Sequence, residues 1–128
     1  FGGVRRYLAS VVDHAKLNGY TVTTFGRRRP FDDLKSPIFQ LRENARRAAL
    51  NAPIQGTAAD IMKLAMIRVQ AAITDAGLSS RMLLQVHDEL NAFVESEKRA
   101  LQMKEIMENT YRLKLPIVAD LKVGESWR

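Results

Sequence analysis

Apolar residues recur along the chain at two spacings, and each change of spacing marks a new element. Val4, Tyr7, Leu8, Val11, Val12 and Ala15 lie three or four apart, which predicts an amphipathic helix stopped by Asn18-Gly19. Tyr20 to Phe25 is rich in β-branched and aromatic residues and ends at Gly26, as a short strand does, and Gly26-Arg27-Arg28-Arg29-Pro30 then reads as a basic turn. Ser36-Pro37 supplies an N-cap and first-turn pair for a helix carrying Ile38, Leu41, Ala45, Ala48 and Ala49. Arg42 and Arg46, four apart, should project side by side from its exposed face. Pro53 and Gly56 predict a break over Asn51 to Gly56. A second helix is expected from Thr57, where Thr-x-x-Asp to Asp60 is similar to a capping box. Its stripe runs Ala58, Ile61, Met62, Ala65, Met66, Val69, Ala72 and Ile73 until Gly77, with the methionines as core fillers.

Two alternating runs follow, Arg81 to Val86 and Glu89 to Glu95, separated by His87-Asp88, the length of a tight hairpin loop. Ser96 is placed to cap a helix bearing Ala100, Met103, Met107 and Tyr111. Pro116 closes the connection and Ile117 to Val123 reads as a last strand. No repeat, linker or low-complexity tract interrupts the chain. This order predicts an α+β fold, an antiparallel sheet with helices packed on one face. With 128 residues, 46% of them hydrophobic, one core and a single domain over 1–128 are expected.

Charge adds a partner class. Lys and Arg outnumber Asp and Glu by 20 to 14, a formal net charge of +6, which favours polyanions through displacement of their condensed counterions. The absence of cysteine excludes disulfides and thiolate zinc sites. No apolar run reaches the roughly 18 residues of a membrane span, and the first residues, with Arg5 and Arg6 soon followed by Asp13 and His14, are not those of a signal peptide. A cytoplasmic protein without a membrane partner is expected. Phe1-Gly2-Gly3 lacks an N-cap and reads as the interior of a polypeptide, so an excised piece is expected as well.

The chemistry concentrates at Gln85-Val86-His87-Asp88-Glu89-Leu90. Two carboxylates and an imidazole at a hairpin tip repel or must be hydrated or paired. A divalent cation is one compensator, since hard oxygen from Asp88 suits Mg²⁺; a plain polar turn is the other reading. This stretch resembles the HDE-containing carboxylate motif of the palm of family A DNA polymerases. Upstream, the run from Arg47 to Asp60, with Asn51, Pro53, Gln55, Gly56 and Thr57 in place, is similar to that family's R-x-x-x-N-x-P-x-Q-G-T-A-A-D segment. Gly124, Glu125 and Trp127 resemble its C-terminal ending, and Gly19-Tyr20 and the Gly26-Arg27-Arg28 turn also fit.

The resemblance implies a fragment of a DNA-directed DNA polymerase, a template-dependent nucleotidyltransferase of replication and repair, with residues 1–19 as the tail of the region beside the fingers. It implies that Asp88 is a catalytic carboxylate ligand of a two-metal Mg²⁺ site and Glu89 an auxiliary one, the site being completed by an aspartate absent from this chain. His87 would touch the primer terminus, and Arg47, Asn51, Gln55 and Gln85 would line the minor groove of the template–primer DNA, with Arg27 and Arg28 as phosphate contacts. Minor-groove acceptors are nearly alike for every base pair, so such donors sense duplex shape without reading sequence.

Plainer roles compete with these: Asn51 as a helix terminus, Gln55 as a loop residue, Arg47 as the partner of Glu43. The fingers helix that binds the deoxynucleoside triphosphate and the thumb are not in these residues, so the isolated chain is expected to be inactive and to need the rest of the polymerase. Asp120 has no role in the resemblance. Asn91 and Gly2 depart from the family's apolar residue and proline. Two further readings stand beside this one, a stand-alone duplex-binding module and a small subunit of a split polymerase, and uncovered apolar surface would permit self-association.

Overall fold

The computed structural model describes residues 1–126, and among them the α+β character holds. Helix α1 (Gly2–Asn18) is followed by strands β1 (Tyr20–Val22) and β2 (Arg28–Pro30), a 3-10 turn (Asp32–Lys35), helix α2 (Phe39–Asp75), strands β3 (Arg81–Val86) and β4 (Glu89–Phe93), and helix α3 (Glu97–Glu108). The strands form two separate antiparallel pairs, β1 with β2 and β3 with β4, rather than one layer. The residues group into two compact units, one from Phe1 to Ala58 and one from Ala59 onward.

In the first unit α1 ends as its sequence predicts. Gly19 takes φ 82, and its N–H returns to the Ala15 carbonyl at 2.8 Å, a left-handed cap that a residue with a side chain adopts only at a cost. Only the later part of the α1 stripe is covered: Val12 and Ala15 are buried, whereas Val4 and Tyr7 are about half exposed. The core joins Ala15 to Phe31 and Leu34 and to Ala45, Ala49 and Ala52 of α2. Alanines on that face of α2 let the neighbouring backbone come close. The expected strand to Phe25 stops at Val22. The arginine run, expected as a turn, divides: Thr24, Phe25 and Gly26 make the loop, Gly26 with φ 83, and Arg28 and Arg29 enter β2 opposite Val22 and Thr21. Thr23 N–H to the Arg27 carbonyl at 2.9 Å and Gly26 N–H to the Thr23 carbonyl at 3.0 Å close this three-residue hairpin.

Two expectations about α2 are corrected. It starts at Phe39, not at Ser36-Pro37; Ser36 Oγ instead accepts the Ile38 N–H at 3.2 Å. It is also not broken over Asn51 to Gly56. The helix runs 37 residues with Pro53 inside it, and Thr57 caps nothing. Burial explains the continuity: Ala49, Ala52 and Pro53 all sit inside the first unit, so melting this turn would return that surface to water.

In the second unit α2 presents Ala65, Val69 and Ile73 as its buried line. Its end is a Schellman motif. Gly77, at φ 59, donates to the Thr74 carbonyl and Leu78 donates to the Ile73 carbonyl, both at 3.1 Å. Helix α3 begins after Ser96, whose carbonyl rather than its hydroxyl receives the Arg99 and Ala100 N–H groups. Arg68 Nη1 reaches the Asn109 carbonyl at 3.3 Å and ties the end of α3 to α2. The strand expected over Ile117 to Val123 is absent. A strand requires a ladder partner, and among the described residues none pairs with this segment; Glu108 instead accepts the Ala119 N–H at 2.9 Å. Trp127 lies outside the described residues.

Val69 is fully buried, whereas Ile67 on the same helix is 65% exposed. Val69→Ala should cost about 1.5–3 kcal/mol of stability and Ile67→Ala under about 0.5 kcal/mol. Urea unfolding of the two variants checks the contrast, and equal costs would contradict this placement of the core.

Candidate nucleic-acid and carboxylate site

Two sets of candidate residues emerge, one in each unit. In the first, the continuity of α2 is decisive. Arg47, Asn51 and Gln55 stand four apart on one unbroken helix, and all three are exposed. Residues at that spacing share a face, so a guanidinium and two primary amides form one polar stripe. The stripe is ordered at its start, where Asn44 Oδ1 accepts from Arg47 Nη2 at 2.8 Å and from Gln40 Nε2 at 3.3 Å. The plainer roles fall away. Asn51 and Gln55 are in mid-helix, and the partner of Glu43 is Arg46, at 3.7 Å, not Arg47. Arg42 does not project beside Arg46 as a free cation; it is half-buried, donating to the Ser36 carbonyl at 2.8 Å and lying 5.6 Å from the Phe39 ring centre.

The same unit holds the arginines of the first hairpin. Arg28 lies over the Tyr20 ring at 4.6 Å and Arg29 over Phe31 at 5.1 Å, contacts that hold each guanidinium flat while its edge stays in solvent. Tyr20 in turn meets His14 edge to face at 5.7 Å. Arg27 is exposed at the loop, its N–H on Thr23 Oγ1 at 3.2 Å.

In the second unit β3 and β4 pair with Val86 opposite Glu89, leaving His87-Asp88 as a two-residue loop, as expected. His87 adopts φ 53 and is the one described non-glycine residue with positive φ. That conformation is costly for a side chain with a Cβ, and such strain gathers at functional sites. Gln85 offsets part of the cost by donating its side-chain amide across the loop to the His87 carbonyl. Gln85, His87, Asp88 and Glu89 are all exposed. Hydration therefore carries the two carboxylates, with no buried charge to compensate.

Lower in the hairpin the register skips between Met82 and Leu84, a bulge that leaves Leu83 66% exposed. Asn91, opposite Leu84, has its amide nitrogen buried without a partner. The base is fastened by Glu95, expected only as the end of an alternating run. Its carboxylate accepts both the hydroxyl and the N–H of Ser79. The Ser79 hydroxyl and then its backbone N–H hold the Glu95 carboxyl below the usual carboxylate range.

As a cation site the tip is open. Among the described residues no three His, Cys, Asp or Glu side chains converge to hold a metal, and Asp120 is exposed and joins no such group. Asp88 and Glu89 still fit magnesium in kind, because that ion takes one or two carboxylates and completes its shell with water and phosphate oxygens. No helix among the described residues is long and apolar enough to cross a membrane.

Glu95 yields a pH test. Its folded-state pKa lies below the unfolded value, so its stabilisation is complete above the unfolded pKa and is lost as pH falls through the folded one. Glu95→Gln should be less stable than the parent at neutral pH. That difference should shrink as pH drops through and below the carboxylate range, measured by thermal unfolding at stepped pH; a difference independent of pH would mean that the charge is irrelevant.

The chain has relatives among known proteins. The model of the family described as DNA polymerase family A matches residues 1–128. DNA polymerase I of Mycobacterium bovis is 51% identical over 99% of this chain, and that of Chloroflexus aurantiacus 45% identical over 99%. The chain spans 14% of the length of both relatives. Among solved structures, the POL domain of Pol1 from M. smegmatis, in complex with DNA primer-template and dNTP, matches with a TM-score of 0.83 and 56% identity. That match covers 91% of this chain and 21% of the other. From the polar stripe of α2 to the carboxylate tip of the second hairpin, this chain belongs to DNA polymerase family A.

Proposed function

We propose that this chain is the part of a DNA-directed DNA polymerase that grips the template–primer duplex and supplies one catalytic carboxylate. The observation that carries the reading is the unbroken α2, which brings Arg47, Asn51 and Gln55 to one exposed stripe in a chain of net charge +6. Guanidinium and amide donors match the acceptors that every base pair offers in the minor groove. Such a stripe grips any correctly shaped duplex. Arg27 and Arg28 contact phosphates, Arg28 pre-oriented by Tyr20. Gln85 and His87 lie at the hairpin tip, with His87 toward the primer terminus.

Asp88 and Glu89 are the residues that would hold Mg²⁺, Asp88 as ligand and Glu89 as auxiliary. When bound, the ion lowers the barrier to phosphoryl transfer from a deoxynucleoside triphosphate by neutralising developing charge. The protein's own share is to keep those carboxylates hydrated and rigidly aimed, through the braced His87-Asp88 loop. Two carboxylates do not close a two-metal site, so we propose further that the remaining acidic ligand and the nucleotide-binding groups come from the rest of a polymerase chain. A duplex-binding module without chemistry is the second reading, favoured by the lack of three converging metal-capable groups among the described residues.

Titration of Mg²⁺ into the labelled chain with primer–template DNA separates the two. Under the polymerase reading, signals of Asp88 and Glu89 move with the metal, and Asp88→Asn abolishes that movement; silence at Asp88 would leave the module reading in possession. Arg47→Ala should weaken duplex binding by about 1–3 kcal/mol, and Arg28→Ala should lower the salt dependence by about one counterion. Incorporation of nucleotide by these 128 residues alone is expected to be nil; turnover that Asp88→Ala removes would show that the chain needs no completing partner.

A further inference from the structure

Pro53 lies inside α2, where it withholds the N–H that the Ala49 carbonyl would accept and crowds the preceding turn. Helices bend at such a residue unless an outside contact fixes them. The stripe read above as the duplex surface straddles this joint, with Arg47 and Asn51 before it and Gln55 after it. Three and four residues beyond Pro53 the first hairpin meets the helix. A Cβ built on Gly56 would come 2.6 Å from Thr23 Cγ2, so any larger residue there must push the Thr23 side chain aside. Next to it, Thr57 Oγ1 accepts the Thr24 N–H at 3.1 Å and donates to Thr24 Oγ1 at 3.3 Å.

The helical repeat puts Gly56 on the buried side with Ala45, Ala49 and Ala52, away from the stripe. The hairpin therefore braces α2 from behind, about one turn beyond the place where its own ladder is incomplete. We propose that this contact fixes the course of α2 through Pro53 and thereby the position of Gln55 relative to Arg47, which makes Gly56 and Thr57 positioning residues for the duplex stripe. The inference rests on the proposed duplex-binding reading and extends it. It also accounts for a hydroxyl at Thr57, which the sequence had assigned to a helix cap.

Thr57→Val keeps the side-chain shape and removes both hydrogen bonds, Thr57→Ser keeps them, and Gly56→Ala presses on the Thr23 side chain. In the full chain, measured by anisotropy on a primer–template duplex, Thr57→Val and Gly56→Ala should each weaken binding about three- to tenfold. Thr57→Ser should stay within about twofold, and adding Thr57→Val to Gln55→Ala should cost nothing beyond the single change. The proposal is overturned if Thr57→Val has no effect, or if it costs the same factor with Gln55 present and absent. If Gln55→Ala and Arg47→Ala leave affinity unchanged, the duplex reading itself fails. The latch is then judged by residual dipolar couplings along α2: an altered angle between residues 39–52 and 57–75 in Thr57→Val upholds it, and an unchanged angle overturns it.

Discussion

A proline in the middle of a 37-residue helix is the constraint on which the first unit depends. Interior proline costs a helix on the order of 3 kcal/mol, and here the helix continues regardless. Burial supplies the offset. Pro53 lies within the unit beside Ala49 and Ala52, so its ring replaces water-exposed surface with packing, and the Thr24–Thr57 bonds hold the following turn. A straight run of good helix formers would need none of this support, but it would also leave the first hairpin without a foothold. The absence of a side chain at Gly56 leaves the room in which Thr23 seats against the helix.

The second hairpin uses the opposite economy. Its tip carries His87 at positive φ and two exposed carboxylates, and its order comes from the β3–β4 ladder and from two side-chain contacts, Gln85 onto the His87 carbonyl above and Glu95 onto Ser79 below. Packing contributes little, since Leu83, Leu84 and Phe93 are all about half exposed or more. A tip held by hydrogen bonds leaves its carboxylates in water. A tip held by apolar burial would desolvate them.

Much of this was readable in the sequence, and the exceptions share a cause. The two-residue loop at His87-Asp88, the glycine stops at Gly19 and Gly77, and the buried line through Val69 follow from local pattern and turn chemistry. The break expected at Asn51 to Gly56 does not occur, because proline's local penalty is overridden by contacts from residues about thirty positions earlier, which no window along the sequence can see. The same distance hides the part played by Thr57: Thr-x-x-Asp is a capping signature only where a helix begins. Ile117 to Val123 has the composition of a strand, yet composition does not supply a ladder partner. The candidate site residues were picked out as a set, from the order of two motifs. Their arrangement was not, because whether Arg47 and Gln55 share a face turns on the helix being continuous.

The acidic pair is what separates a polymerase reading from simple duplex binding. A chain of net charge +6 attracts a polyanion without further design, and any carboxylate near the bound phosphates weakens that attraction. Asp88 and Glu89 are exposed, and among the described residues neither takes part in an ion pair that would give it a purely structural use. On a surface meant only to hold DNA they are a loss. A divalent cation would reverse the sign: Asp88 and Glu89 are the residues that would hold it, and it would supply positive charge to offset that of phosphate. An acidic tip in a basic chain is therefore better explained by metal-assisted phosphoryl chemistry than by binding alone. Under the proposed reading two carboxylates would be enough here, since magnesium completes its shell with water and phosphate oxygens.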